Sequence, residues 1–335
     1  MATHYRDQAI RQLGRILVVS FFIVALVVLF WAVSRKTSES SLDKNEYKKD
    51  TEAYDTDVVI PNLSQQIETK KQNPIKNIYS TKEDGRIWNS LSWENGNSRI
   101  IKSGKSDPYD SELFARGNGQ ISIGGDGIAK LSGSEPRIYL YDPLKNKKWG
   151  DVEVTIYAKR ISETGKRSSQ GIVIGARSEH QDATTKKPCL GTTYYGRLLY
   201  DGRAVFQKEL IHEGAYSSNM PSETNKAVWD TPDEMMPRNV WIGVKFIVKN
   251  SSDKKAVKLE LYRDMTDGNN GGTWEKVAEY LDQGTWSQNN SQSNIKKKCG
   301  YSSNVVLLKP GTSVFVRNDD IKEMQYKKFS VREIE

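Results

Sequence analysis

The residues best placed to do chemistry lie between positions 177 and 212. Arg177-Ser178-Glu179-His180 ends one apolar run, Tyr194, Tyr195 and Arg197 lie in the next, and Gln207-Lys208-Glu209 with His212 follow in a third. Imidazoles, phenols and carboxylates can move protons, while guanidinium and ammonium groups neutralise an anion beside them. The same side chains can hold an anion through charge-assisted hydrogen bonds without reacting with it. Arg177, His180, Tyr195 and His212 are therefore the candidate catalytic residues. Arg177, Tyr195, Arg197, Lys208 and Glu209 are the candidate ligand contacts. Trp229, in the polar segment KAVWDTPDE, is read as an exposed aromatic platform and joins them. A plainer account stays open: Lys208 and Glu209 as cross-strand ion-pair partners, and the two histidines as edge residues without a role.

Other constellations are thinner. Asp264, Asp267 and Asn269 around Gly268 offer the dense oxygen donors of a calcium-binding turn. An ordinary Asn/Gly turn uses the same letters. No cofactor beyond that calcium is implied. Cys189 and Cys299 sit in polar, loop-like contexts, where a free thiol would be exposed, so a disulfide between them is expected. Two cysteines exclude a four-thiolate zinc site, and His4, His180 and His212 are too few for a His-rich metal centre. The sequence has no Walker A loop, no G-x-G-x-x-G after a strand, no H-E-x-x-H and no C-x-x-C.

The elements that must position these residues read as strands. Short runs rich in Val, Ile, Tyr and Trp recur from about Thr81 onward, separated by Gly, Asn, Asp and Ser. They cover 120–125, 127–133, 137–142, 151–160, 171–180, 192–201, 204–212, 240–250, 256–264, 273–282, 314–319 and 326–334. Period-two alternation with no long amphipathic helix predicts an all-β, two-sheet antiparallel sandwich. Asp201-Gly202 is a tight-turn signal that makes 192–201 and 204–212 a hairpin, with 171–180 beside it. That pairing sets Arg197 roughly opposite Phe206 and Tyr195 near Lys208. Arg177, Tyr195, Lys208 and His212 are then expected to converge on one groove.

The stretches FVRNDDIKEMQYKKFSVREIE and VKLELYRDMTDGNNGGTWEKVAEYLDQGTW resemble the closing strands of concanavalin A-like lectin/glucanase domains. The resemblance covers roughly residues 151–335. It implies a jelly roll whose concave sheet holds a glycan. A glucanase of this class would show E-x-D-x-E on a strand. Asp151-Val152-Glu153 lacks the third acid, which argues against paired-carboxylate hydrolysis. The other chemistry that the resemblance implies is lysis of an acidic polysaccharide. Arg177-Ser178-Glu179 is similar to the opening of the alginate lyase R-S/T-E-L/V-R signature, but His180 and Gln181 replace its last two residues. Leu210-Ile211-His212 is similar to Q-I-H with Leu in place of Gln, and the third lyase motif has no match.

Ahead of the sandwich, residues 16–33 read ILVVSFFIVALVVLFWAV, one Ser and no charge. At 1.5 Å per residue they reach ~27 Å, close to the ~30 Å hydrocarbon core. A single-pass transmembrane helix is expected, with a cleaved signal peptide as the competing reading. Residues 1–15 form a short cytoplasmic tail. Residues 34–80, charged and with little apolar content apart from the interruption Val58-Val59-Ile60-Pro61, are expected to form a disordered stalk. Residues 81–335 form the extracytoplasmic domain. The net charge is +8, from Lys+Arg 50 against Asp+Glu 42, and hydrophobic residues make up 36%. A basic surface favours acidic partners. Nucleic acid is not expected, because no basic helix or aromatic–basic repeat is present. The sequence thus points to a membrane-anchored domain that binds polysaccharide or cell-surface glycan. A polysaccharide lyase and an envelope protein-interaction domain are the alternatives.

Overall fold

The computed structural model describes residues 74–335, apart from 165–169, 185, 213–214, 217–219, 222–227, 230, 232–234, 287–296 and 303. The apolar segment 16–33 and the stalk as far as residue 73 lie outside the described residues. Among the described residues, no helix is long and apolar enough to cross a membrane.

The described strands are β1 (Ile87–Asn89), β2 (Arg99–Ile101), β3 (Ser106–Asp107), β4 (Asp110–Arg116), β5 (Gln120–Ile123), β6 (Ala129–Gly133), β7 (Arg137–Tyr141), β8 (Val152–Glu163) and β9 (Gly171–Ser178). There follow β10 (Thr193–Leu199), β11 (Ala204–Ile211), β12 (Ala215–Tyr216), β13 (Met220–Pro221), β14 (Trp241–Asn250), β15 (Val257–Asp264), β16 (Glu275–Asp282), β17 (Ser313–Asn318) and β18 (Ile321–Glu333). They build two antiparallel sheets. The first runs β16-β15-β14-β8-β18-β6-β5-β2, with β1 on β18. The second runs β12-β11-β10-β9-β17-β7-β4-β3, with β13 on β11. The all-β two-sheet sandwich expected from the alternation is the fold observed. The predicted 171–180, 192–201 and 204–212 strands are the neighbours β9, β10 and β11. Gly202 turns the β10–β11 hairpin at φ +85°, a conformation that suits glycine.

Alternation also decides what lies between the sheets. Val152, Val154, Ile156 and Ala158 of β8 and Val244, Phe246 and Val248 of β14 pack against Ile172 and Ile174 of β9, Leu198 of β10 and Phe206 of β11. Each of these Val, Ile, Leu and Phe side chains contributes roughly 1.5–3 kcal/mol on burial.

The first sheet's outer face is closed by the chain itself. Residues 74–81, assigned above almost entirely to the stalk, lie across it. The amides of Ile78 and Tyr79 donate to Glu153 Oε2 at 3.0 and 3.2 Å, and Tyr79 Oη donates to Glu260 at 2.7 Å. Glu153 also pairs with Lys245 at 2.7 Å and Arg332 at 2.5 Å. Ordered structure therefore begins ahead of Thr81.

Cys189 and Cys299 form the expected disulfide, their Cα atoms 5.6 Å apart across a sequence separation of 110. For a loop of this length the chain-entropy estimate is ~4–5 kcal/mol, with ~2–4 typical of measurement. Cys189→Ser with Cys299→Ser should lower unfolding free energy by about 2–4 kcal/mol in denaturant titrations. Protein kept from reductant should label no thiols; two reactive thiols would contradict the bridge.

Candidate functional site

On β10, Tyr194 and Leu198 belong to the core between the sheets, so Tyr195 and Arg197 point away from it. The same alternation sends outward Val173 and Gly175 of β9, Phe315 and Arg317 of β17, Arg137 and Tyr139 of β7, and Phe114 and Arg116 of β4. Register then aligns them in rows across the sheet. Arg116 faces Arg137, Arg137 faces Arg317, Arg317 faces Val173, and Val173 faces Arg197. One step along the strands, Phe114, Tyr139, Phe315, Gly175, Tyr195 and Gln207 align in the same way. A row of four arginines thus runs beside a row of four aromatic rings, over five adjacent strands. At ~4.8 Å per strand the arginine row is ~19 Å long.

The rings form a tight floor. Tyr139, Val173, Tyr195 and Phe315 make a small apolar cluster of their own, packed on by Phe114 and Tyr141. Gly175 belongs in the middle of it, because a Cβ there would fall 2.2 Å from the Phe315 ring. The guanidinium of Arg317 lies 6.0 Å from the centre of the Tyr195 ring.

Charge on this face is unbalanced. Arg137 pairs with Glu135 at 2.5 Å, and Arg317 with Glu135 at 3.2 Å and Asp319 at 3.0 Å. Arg116 donates to the Ala183 carbonyl at 3.2 Å and Arg197 to Gln207 at 3.3 Å. Among the described residues, neither Arg116 nor Arg197 has a carboxylate partner. Burial first, then the Arg317 charge, pulls the Arg197 guanidinium below its ordinary pKa.

At the end of the aromatic row lies a polar cluster. Tyr195 Oη donates to Glu209 Oε2, and His212 Nδ1 is 3.3 Å from Glu209 Oε1. His180 Nε2 stands 3.6 Å from Glu209 Oε2, while its Nδ1 is 2.8 Å from Tyr139 Oη. The connection after β9 carries His180 into place. Gln181 and Ser313 fasten it by a 2.6 Å bond, and Gln181 also donates to Thr312. Burial, then Arg137, His212, Arg317 and Arg116, pushes the His180 pKa down to about 2, so the ring is neutral near pH 7.

Tyr195, Arg197, Glu209, His180 and His212 thus share the outer face; Arg177 and Lys208 do not. β10 and β11 pair Tyr194 with Lys208 and Tyr195 with Gln207, one residue off the expected register. A shift of one residue reverses the face. Lys208 accordingly points between the sheets and is fully buried, bonded at 2.8 Å both to Asp282 Oδ2 and to the Val305 carbonyl. Tyr194 Oη donates to the same Asp282 oxygen at 2.6 Å. Arg177 sits at a β-bulge, where β17 pairing skips from Ser178 to Gly175, and its φ is +49°. Its side chain reaches Asp151 at 2.5 Å, Asn250 at 2.7 Å and the Leu307 carbonyl at 2.8 Å. It bridges the two sheets instead of lining a groove.

Two further expectations are corrected. Trp229 is 2% exposed and belongs to the core, with its Nε1 donating to the Leu199 carbonyl at 2.8 Å, so it is no surface platform. Asp264 does not present open oxygens to calcium. It accepts from Tyr157 Oη, Thr266 Oγ1 and the amides of Thr266, Gly268 and Thr273, all within 3.0 Å. Asp267 pairs with Lys327 at 2.6 Å, and Asn269 opens a short 3₁₀ turn.

No family model and no curated protein matches the chain. Solved structures similar to it include the exoplasmic/lumenal domain of VIP36 in its Ca2+-bound form, at 13% identity, covering 70% of this chain and 89% of that one with a TM-score of 0.33. Lectin II from Ulex europaeus follows at 9%, 71%, 98% and 0.34, and a peanut lectin–peptide complex at 8%, 70%, 97% and 0.32. Likeness of that order assigns neither a site nor a ligand to this chain.

The placement of Lys208 has a measurable consequence. Lys208→Ala strips a buried carboxylate of its cation and should cost about 3–5 kcal/mol, far above a surface change. Pairing Lys208→Met with Asp282→Leu should recover a substantial part of it. A single variant within about 0.5 kcal/mol of wild type would put Lys208 at the surface after all.

Proposed function

We propose that this domain binds an acidic polysaccharide across the outer face of the second sheet. The observation that carries the reading is the arginine row, whose Arg116 and Arg197 are half-buried and bonded only to neutral acceptors among the described residues. Guanidinium groups take carboxylate or sulfate in paired, charge-assisted hydrogen bonds, and the rings beside them, Tyr139, Tyr195 and Phe315, are buried and support the row without presenting faces of their own. Four arginines against Glu135 and Asp319 leave the row cationic. Its ~19 Å length suits several linked sugars.

The apolar segment 16–33 anchors the chain in a membrane, and the domain lies on the extracytoplasmic side. The Cys189–Cys299 disulfide supports an oxidising compartment. Protein that alkaline carbonate releases from membranes would overturn the anchor.

A lyase is the second reading, favoured by Tyr139, His180 and Tyr195 beside the guanidinium groups. Binding is preferred, since an imidazole with a pKa of about 2 accepts a proton poorly near neutral pH. Unsaturated product absorbing in the ultraviolet would replace binding by lysis.

Arg116→Gln and Arg197→Gln probe the row where it is half-buried. Each should weaken binding to polygalacturonate about tenfold to a hundredfold, the worth of one charge-assisted hydrogen bond. Stability should change by about 1 kcal/mol or less, and added salt should weaken wild-type binding. Equal affinity for a neutral glucan, or no effect of either variant, would reject an acidic ligand on this face. Capture of a protein instead, with no binding on a glycan array, would favour an interaction domain.

A further inference from the structure

We propose that His180, Glu209 and His212 bind one divalent transition-metal ion, with zinc the best match to the donors. The ligand atoms of the three side chains all lie within 4.8 Å of one another. Glu209 stands 3.6 Å from His180 Nε2 and 3.3 Å from His212 Nδ1. Tetrahedral zinc with ~2.0–2.1 Å bonds to nitrogen and oxygen sets its ligands ~3.4 Å apart. Small side-chain movements close the site.

A second observation points to a ligand. His180 is 2% exposed, and its Nε2 lies beyond hydrogen-bond reach of Glu209. The other ring nitrogen is held by Tyr139 Oη at 2.8 Å. When Nδ1–H donates to Tyr139, the Nε2 lone pair faces Glu209. That is the arrangement in which an outer partner fixes the tautomer and direction of a metal-bound histidine. Tyr195 steadies Glu209 in the same way.

The third ligand is held from below. The His212 amide donates to the Pro188 carbonyl at 2.7 Å, within the turn that the Cys189–Cys299 disulfide ties down. Gly191 lets the two backbones approach, since a Cβ there would lie 2.5 Å from the His212 nitrogen.

Two imidazoles and one carboxylate suit zinc better than calcium or magnesium, which prefer all-oxygen shells. Arg116, Arg137 and Arg317 oppose any cation here, and the Glu209 carboxylate offsets them. Among the described residues three side chains supply ligands, and water or an anionic group of a ligand would complete a tetrahedral shell.

The test uses the full-length chain in detergent, stripped with chelator and titrated with zinc by calorimetry and with cobalt by visible absorbance. One equivalent should bind, with cobalt bands of tetrahedral intensity. Glu209→Gln and His212→Gln should abolish binding, and Tyr139→Phe should weaken it about 10–100-fold. His4→Ala should leave it unchanged. Circular dichroism of the metal-free variants shows whether they fold. If they do not, the wild-type cobalt spectrum decides alone. Absence of those bands, or unaltered zinc affinity in folded Glu209→Gln, overturns the proposal. Zinc binding does not depend on polysaccharide binding, so either can fail alone.

Discussion

The second sheet buries side chains on both of its faces, and the pleat decides which residue serves which. Lys208 and Glu209 are adjacent in sequence yet face opposite ways, one between the sheets and one into the outer cluster. A one-residue slip of β11 would exchange them. Glu209 would then meet Asp282, and the two carboxylates would repel each other without a cation. The Lys208–Asp282 pair need not add much net stability, since desolvation consumes much of the attraction between buried charges. Its larger effect is to penalise the wrong register, and that register is what aligns the arginine and aromatic rows.

Arg177 works on the same principle by other means. The bulge in β9 turns a residue that strict alternation would send outward toward Asp151, Asn250 and the Leu307 carbonyl. Arg177 and Lys208 thus tie one sheet to the other. The cations left on the outer face are those of β4, β7, β17 and β10. Burial first, then the charges of Arg137, Arg317 and Arg116, keeps the His180 ring neutral, and the same row of cations favours an anion over this face.

Strand identities, the β10–β11 hairpin and the disulfide were legible because each leaves a local mark: period-two alternation, a Gly-containing turn, cysteines in polar loops. The faces were less legible. The Arg177 bulge has no sequence signature, and a turn predicts register only to within a residue or so. Trp229 looked exposed because its neighbours are polar, while its burial depends on Leu199, far away in sequence. Arg116, Arg137 and Arg317 form no cluster in the sequence, since each stands on a different strand and only the sheet order β10-β9-β17-β7-β4 lines them up with Arg197. A positional signal did exist: each of the four lies two residues from an aromatic on its own strand.

The two outer faces differ in a way that bears on which could hold a ligand. The first sheet also carries buried charge outside the core, in Glu153, Lys245, Glu260 and Arg332. There Lys245 and Arg332 answer Glu153, Lys258 and Lys276 answer Glu260, and Ile78 and Tyr79 supply further donors from the chain's own leading segment. A face that closes on itself offers a ligand little. On the second sheet Arg116 and Arg197 find only a carbonyl and an amide oxygen. Guanidinium groups bonded to neutral acceptors gain more from a carboxylate or sulfate than those already paired with acids. The outer face of the second sheet is therefore the one whose electrostatics an anionic ligand completes.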